Sequence, residues 1–287
     1  MAERTPGAAP AMVAAPDEVP RFAFGRNWAR FLALVDEDRI SGAEASLRAL
    51  LGVQNLIGKS FLDIGSGSGL FSLAAHRLGA ARVHSFDCDL GSVACAMEIK
   101  RRYAPQVDTW TIERGSALDK WYLKALGKFD VVYSWGVLHH TGAMWRALEL
   151  AALPVAQGGQ LAVAIYNDQG RASRFWRQYK LAYNRLPEVG RWPLLWLAAV
   201  YFWSPRIALD AARGRPLAMF RPGQRVRGMS PWTDLVDWVG GYPFEVATPK
   251  QIVSFYLARH FSLEHLATCG PRAGCNEFVF RKSAVSS

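Results

Sequence analysis

From residue 59 to residue 166 the chain alternates short apolar runs with stretches whose apolar residues recur at helical spacing. Residues 61–64, 82–87, 110–114, 129–134 and 161–166 read as five strands, the fourth apolar enough for burial on both faces. Residues 70–78, 90–103 and 143–153 read as helices, the first stopped by Gly79 in the usual position after a helix end. Ahead of them, 21–52 carries apolar residues at i, i+3, i+4 spacing (Phe31, Leu34, Val35; Leu47, Leu50, Leu51) and predicts one or two short helices. The alternation breaks at 167–248, which is rich in Arg, Trp and Pro and too long for a plain loop. Regularity returns with Thr248 as N-cap and Pro249 at the first helical position of a helix to about His260. Strands at 261–266 and 277–281 then close the chain. The pattern predicts a doubly wound, mostly parallel seven-stranded α/β sheet. It also divides the chain into a tail (1–20), a helical cap (21–58), a core (59–166), a basic insertion (167–248) and a completing segment (249–282).

Composition narrows the reading. With 287 residues and 51% apolar types, the chain has the material for a sizeable core. Its four cysteines, Cys88, Cys95, Cys269 and Cys275, make neither a disulfide scaffold nor a C-x-x-C metal pair, which points to a reduced, cytoplasmic protein without structural metal. The first twenty residues mix Ala and Pro with Glu3, Asp17 and Glu18; this is a tail rather than a secretory signal. The formal net charge is +10, and residues 167–250 hold 13 Lys/Arg against 6 Asp/Glu. Such a balance permits an anionic partner, and the acid-free run Arg213, Arg215, Arg221, Arg225, Arg227 is either a solvated basic loop or a binder of an anionic group. Residues 192–203, WPLLWLAAVYFW, fall short of the ~20 apolar residues that cross a bilayer. They form either a buried helix of the insertion or an apolar face that dips into a membrane surface.

Chemistry concentrates at Asp63-Ile-Gly65-Ser-Gly67-Ser-Gly69, between the first strand and the first core helix. Glycines there permit a tight turn and close approach of backbone N–H groups to a ligand. A dinucleotide fingerprint would place its third glycine at position 70, which is Leu. The arrangement resembles the first motif of class I S-adenosylmethionine-dependent methyltransferases. Three further features in order match that family: Asp87 ending the second strand, Gly115-Ser-Ala-Leu118 after the third, and Phe129-Asp-Val-Val-Tyr-Ser134 followed by Trp135-Gly-Val-Leu-His-His140. Asn276-Glu-Phe-Val-Phe280 is similar to the family's antiparallel last strand. The resemblance covers about 59–166 and the C-terminal strands. It implies that Gly65, Ser66, Gly67 and Gly69 line the methionine half of S-adenosylmethionine and that Asp63 orients its ammonium. It further implies Asp87 on the ribose hydroxyls, Cys88 near the adenine, Ser116 and Ala117 at the adenine edge, and Trp135 beside the sulfonium.

Methyl transfer needs an in-line nucleophile in a dry site, and a hydroxyl acceptor is helped by a base. His139 and His140 follow the fourth strand at the ligand-binding edge of such sheets; adjacent residues cannot both enter one cleft, and His140 is the favoured base, the alternative being that both only shape the loop. The Asn/Asp-Pro-Pro-aromatic motif of nucleic-acid amino-methyltransferases does not occur at Ser134–His139, which argues against a nucleic-acid substrate. The insertion is expected to form a lid on which Trp232, Trp238 and Tyr242 wall an aromatic pocket, with Arg227 holding an acidic group and Tyr166 at the pocket edge; alternatively these aromatics are the lid's own core. The sequence thus reads as a metal-independent methyltransferase of the small-molecule or natural-product type with an extended acceptor lid, favouring O- or N-methylation of a small-molecule, lipid-like or peptide acceptor. Two other readings remain: a membrane-apposed lipid or quinone methyltransferase, and a non-catalytic S-adenosylmethionine-binding scaffold.

Overall fold

The computed structural model describes residues 25, 28, 31–215, 231–270 and 272–283. Helix α1 (Glu37–Leu51) opens with Asp36, whose carboxylate accepts from Arg39 N, and ends at Gly52 in the left-handed region. There follow β1 (Ser60–Ile64), α2 (Leu70–Arg77), β2 (Arg82–Asp87), α3 (Leu90–Tyr103), β3 (Trp110–Arg114), α4 (Lys120–Ala125), β4 (Phe129–Trp135), a 3-10 turn at Leu138–His140, α5 (Met144–Ala151) and β5 (Val155–Tyr166). The insertion supplies α6 (Arg171–Arg185), α7 (Glu188–Ala212) and α8 (Pro231–Gly240), and α9 (Pro249–Leu257), β6 (Phe261–Ala267) and β7 (Cys275–Lys282) complete the chain.

The seven strands lie in the order β3-β2-β1-β4-β5-β7-β6. The first five pair in parallel, and β7 runs antiparallel to both β5 and β6. One core packs on each side of this sheet. Leu62, Ile64, Phe129, Phe278 and Phe280 anchor one with α5 and α9; Phe61, Val83, Trp110 and Leu73 anchor the other with α1, α2 and α3. Parallel order reverses direction between β1 and β4, so the loops after both strands open into one crevice at their carboxyl ends, where sheets of this kind take ligands.

Two elements depart from the pattern-based reading. Strand β5 begins at Val155 rather than residue 161, because Gly158 (φ 70°) and Gly159 carry it through a bulge, where a Cβ on Gly159 would crowd the Asp130 and Phe129 carbonyls at 3.0–3.1 Å. Helix α4 is too short for a periodic signal; it is set by Asp119, which accepts from Trp121 N and Tyr122 N at 2.9 and 3.0 Å. Thr248 forms the expected cap and adds a reciprocal bond from its own N–H to Gln251. The ends of the insertion are tied together at the sheet edge: Ala247 N donates to Tyr166 O at 3.0 Å and Asp168 N to Ala247 O at 3.1 Å. Inside the insertion, α6, α7 and α8 share an apolar cluster of Tyr183, Leu195, Ala198, Ala199, Leu235 and Val239. No helix among the described residues is long and apolar enough to cross a membrane.

Candidate active site

The glycine turn is built for close approach. Gly65, Gly67 and Gly69 all have φ between 54° and 81°, a region that side chains disfavour. A Cβ on Gly65 would meet Val137 at 2.4 Å, and one on Gly67 would meet the Trp28 indole at 2.8 Å, so neither position has space for a larger residue. Asp87 braces the turn: Gly67 N donates to its Oδ2 at 3.0 Å and Asp89 N to its Oδ1 at 2.9 Å. Ser66 Oγ is buried in this turn and makes no hydrogen bond within the protein. A buried hydroxyl in that state is costly unless a ligand satisfies it.

Beneath the turn runs a relay of side chains. Trp110 Nε1 donates to Ser85 Oγ at 2.8 Å, Ser85 Oγ to Ser72 Oγ at 2.7 Å, and Ser72 Oγ to Asp63 Oδ2 at 2.6 Å. Asp63 is 2% exposed. Burial pushes its carboxyl up to about 7, against the Ser72 hydrogen bond, and the negative charge of Asp87 adds to the rise. Burial likewise raises Asp87. Two carboxylates held in one cleft at this cost, beside an unsatisfied hydroxyl, fit a ligand that brings positive charge and hydroxyl donors.

Both acids open onto one cavity of about 1330 Å³. Gly65, Ser66, Gly67, Cys88, Ser116, Ala117 and Trp135 line it too, so the structure brings together nearly all of the residues assigned to the cofactor; Gly69 is the exception, turned against Ala96 of α3. Trp135 is fixed by its indole N–H, which donates to Glu277 Oε1 on β7 at 2.7 Å. Across the cavity stand His140, Tyr166, Trp238 and Tyr242, together with Asp234 and Asp237 of α8.

The two histidines part company. His140 lines the cavity, and its Nδ1–H donates to Pro243 O at 2.7 Å, a carbonyl that can only accept; the neutral ring therefore carries its lone pair on Nε2. Burial, with the nearby Lys180 charge, pushes His140 down to about 3. His139 is fully buried behind it, with ring centroids 4.0 Å from Tyr166 and 4.4 Å from His140, and neither of its nitrogens makes a hydrogen bond of normal geometry. It shapes the loop and does not reach the cavity.

On the insertion, residues 234, 237 and 238 of α8 face the cavity, whereas Leu235 and Val239 face α7. Trp232 lies away from the cavity, its ring stacked 5.9 Å from Trp192 and tilted 5.5 Å from Trp196, because helical spacing puts it on the α7 side. Arg221, Arg225 and Arg227, and the tail at 1–20, lie outside the described residues. The 192–203 segment is divided lengthwise: Leu195, Ala198 and Ala199 are buried, while Trp192, Trp196, Leu197, Val200 and Tyr201 are exposed.

Three residues in or behind the cavity wall escape the motif reading, Trp28 on the cavity itself and Lys180 and Glu245 behind it. Lys180 is fully buried, donates to Trp238 O, and has its Nζ 4.0 Å from the Trp238 ring centroid and 4.7 Å from that of Phe244; burial drives it well below the usual lysine range. Its signal was the helical stripe Trp176, Tyr179, Lys180, Tyr183, which puts a lysine on the apolar face of α6. Glu245 accepts from Met144 N at 3.0 Å, capping α5 from a distance, while its own N–H donates to His139 O. Trp28 lies over Gly67.

A family profile described as ribosomal protein L11 methyltransferase (PrmA) matches residues 43–132. No curated protein matches the sequence. Among solved structures, magnesium protoporphyrin IX methyltransferase (ChlM) from Synechocystis, with bound SAH, superposes with a TM-score of 0.52 at 15% identity over 90% of this chain and 94% of that one. An O-methyltransferase family protein from Burkholderia thailandensis gives 0.53 at 12% identity over 92% of this chain and 60% of its own. A chain from the complex of the Haloferax volcanii Trm112 methyltransferase activator with a methyltransferase gives 0.54 at 12% identity, covering 92% and 98%. With its strand order, its glycine turn and the acid at the end of β2, the chain has the fold of class I S-adenosylmethionine-dependent methyltransferases.

Proposed function

We propose that the protein transfers a methyl group from S-adenosylmethionine to an amine or hydroxyl of a small-molecule acceptor seated under the insertion. The observation that carries this reading is that one cavity joins the Asp63–Asp87 cleft to the face bearing His140, Tyr166, Trp238 and Tyr242. At about 1330 Å³ it exceeds the ~300–1,000 Å³ of a site for one small ligand, and so has room for a cofactor and an acceptor together. The PrmA match to 43–132 and the fold of the SAH-bound ChlM support the cofactor assignment.

When bound, the cofactor supplies a methyl group on a positively charged sulfur. Asp87 holds the ribose hydroxyls, Ser66 donates or accepts at the turn, and Asp63 in its ionised form receives the ammonium. Trp135 and Tyr166 keep water from the transfer zone. His140 Nε2 accepts a hydrogen bond from the acceptor and aims its reacting atom. At about 3, His140 is too weak a base to remove a proton ahead of transfer, which favours an acceptor that loses its proton late, an amine first and a phenol second. The test is formation of S-adenosylhomocysteine from labelled cofactor over matched panels of aromatic amines, phenols and carboxylates. Turnover confined to carboxylates would overturn the role given to His140, and calorimetry showing no binding of sinefungin would overturn the cofactor assignment itself.

A further inference from the structure

Among the described residues, the outer face of α7 is a largely exposed apolar stripe on the insertion, touched along one edge by Trp232 and Trp176. Val189, Trp192, Trp196, Leu197, Val200 and Tyr201 follow i, i+3, i+7, i+8, i+11, i+12 spacing and are 54–85% exposed. The inner face of the same helix is spent on the insertion's core through Leu195, Ala198 and Ala199, so the helix has two apolar faces, of which the outer stays mostly exposed among the described residues. Folded monomers seldom leave so continuous a patch without a use.

Its composition and surroundings identify the partner. Trp and Tyr make up half of the stripe, the residue types that settle at the boundary between hydrocarbon and water. Exposed arginines flank both ends, Arg185 before the helix and Arg206, Arg213 and Arg215 at and beyond its last turns. From 171 to 215 the chain holds nine Lys/Arg against two Asp/Glu, and of those two acids Asp210 is paired with Arg206 at 3.4 Å. A protein-binding stripe has no need of such one-sided charge; an anionic bilayer surface has. We infer that α7 docks the protein flat on an anionic lipid surface, its aromatic stripe in the headgroup layer and its arginines on lipid phosphates. This holds whatever acceptor the cavity takes.

The test is co-sedimentation of the full chain with vesicles of phosphatidylcholine alone and with about one third phosphatidylglycerol, at low and high salt. The expected result is binding to the anionic vesicles at least tenfold stronger than to neutral ones, weakened by salt. Leu197→Glu with Val200→Glu should lower it by tenfold or more without changing the melting temperature, since both side chains are already exposed to water. Arg213→Glu with Arg215→Glu should erase the preference for anionic lipid and leave the residual neutral binding. Absence of binding to anionic vesicles at low salt overturns the inference. So does a stripe variant that binds vesicles as the parent does, or a parent that dimerises in sedimentation velocity through the stripe and ignores lipid.

Discussion

Asp63 and His140 face the same cavity and are displaced in opposite directions by the same cause. Burial lifts Asp63 from 3.8 to about 7, so the stability it carries is whole below pH 4 and is lost as pH rises through 7. Burial lowers His140 from 6.5 to about 3, so its contribution is whole above pH 6.5 and is lost as pH falls toward 3. Asp63→Asn, which keeps an acceptor for Ser72, should therefore raise apo stability near pH 8 by a few kcal/mol, read from urea unfolding at pH 5 and 8. The same variant should abolish proton release when sinefungin binds the parent near pH 6, measured by calorimetry in two buffers of different ionisation enthalpy. His140→Gln should flatten the loss of stability between pH 6.5 and 4; an unchanged slope would mean that His140 is not held neutral by the fold. At Asp87, both oxygens already brace backbone N–H groups. Asp87→Ala should cost ~1.5–3 kcal/mol of cofactor affinity, and a calorimetric Kd equal to the parent's would contradict the ribose assignment.

Among the elements, the stretch from Trp238 to Glu245 links lid to sheet. Asn184 Nδ2 donates to Gly240 O at 2.7 Å on the α6 side, while His140 Nδ1 bonds Pro243 O and Glu245 caps α5 on the other. The N-cap of helix α5 is Ala143, which offers no side-chain cap, so Glu245 replaces a local residue with one from across the fold. Glu245→Ala should lower stability by about 1–2 kcal/mol in chemical denaturation and loosen α5 in hydrogen exchange, whereas Glu245→Gln should retain most of both. The core strands and their flanking helices were legible because each carries its own period, and 82–87, 90–103 and 110–114 match β2, α3 and β3 end to end. The cleft residues were legible because glycines and acids sit at fixed places on that frame. Glu245 and Lys180 were not assigned, since their partners lie 101 and 58 residues away and no local pattern announces such pairings.

At the level of the whole molecule, the insertion has an aromatic interior of its own, Trp176, Phe202 and Trp238 at centroid distances of 4.6–5.2 Å. Sequence periodicity could not decide which face of 192–203 is buried, because the segment is apolar all round and only its packing against α8 distinguishes the sides. A ligand that binds only the folded chain stabilises it: S-adenosylhomocysteine at a hundred times its Kd should add ~2.7 kcal/mol and raise the melting temperature by about 5–10 °C in differential scanning fluorimetry. The relay from Trp110 to Asp63 has one more consequence. It wires an indole to Asp63, the carboxylate we propose receives the cofactor's ammonium, and would thereby install an optical gauge inside the sheet. The difference in emission between the parent and Trp110→Phe should follow occupancy of the cleft, so that the protein itself reports when its methyl donor has arrived.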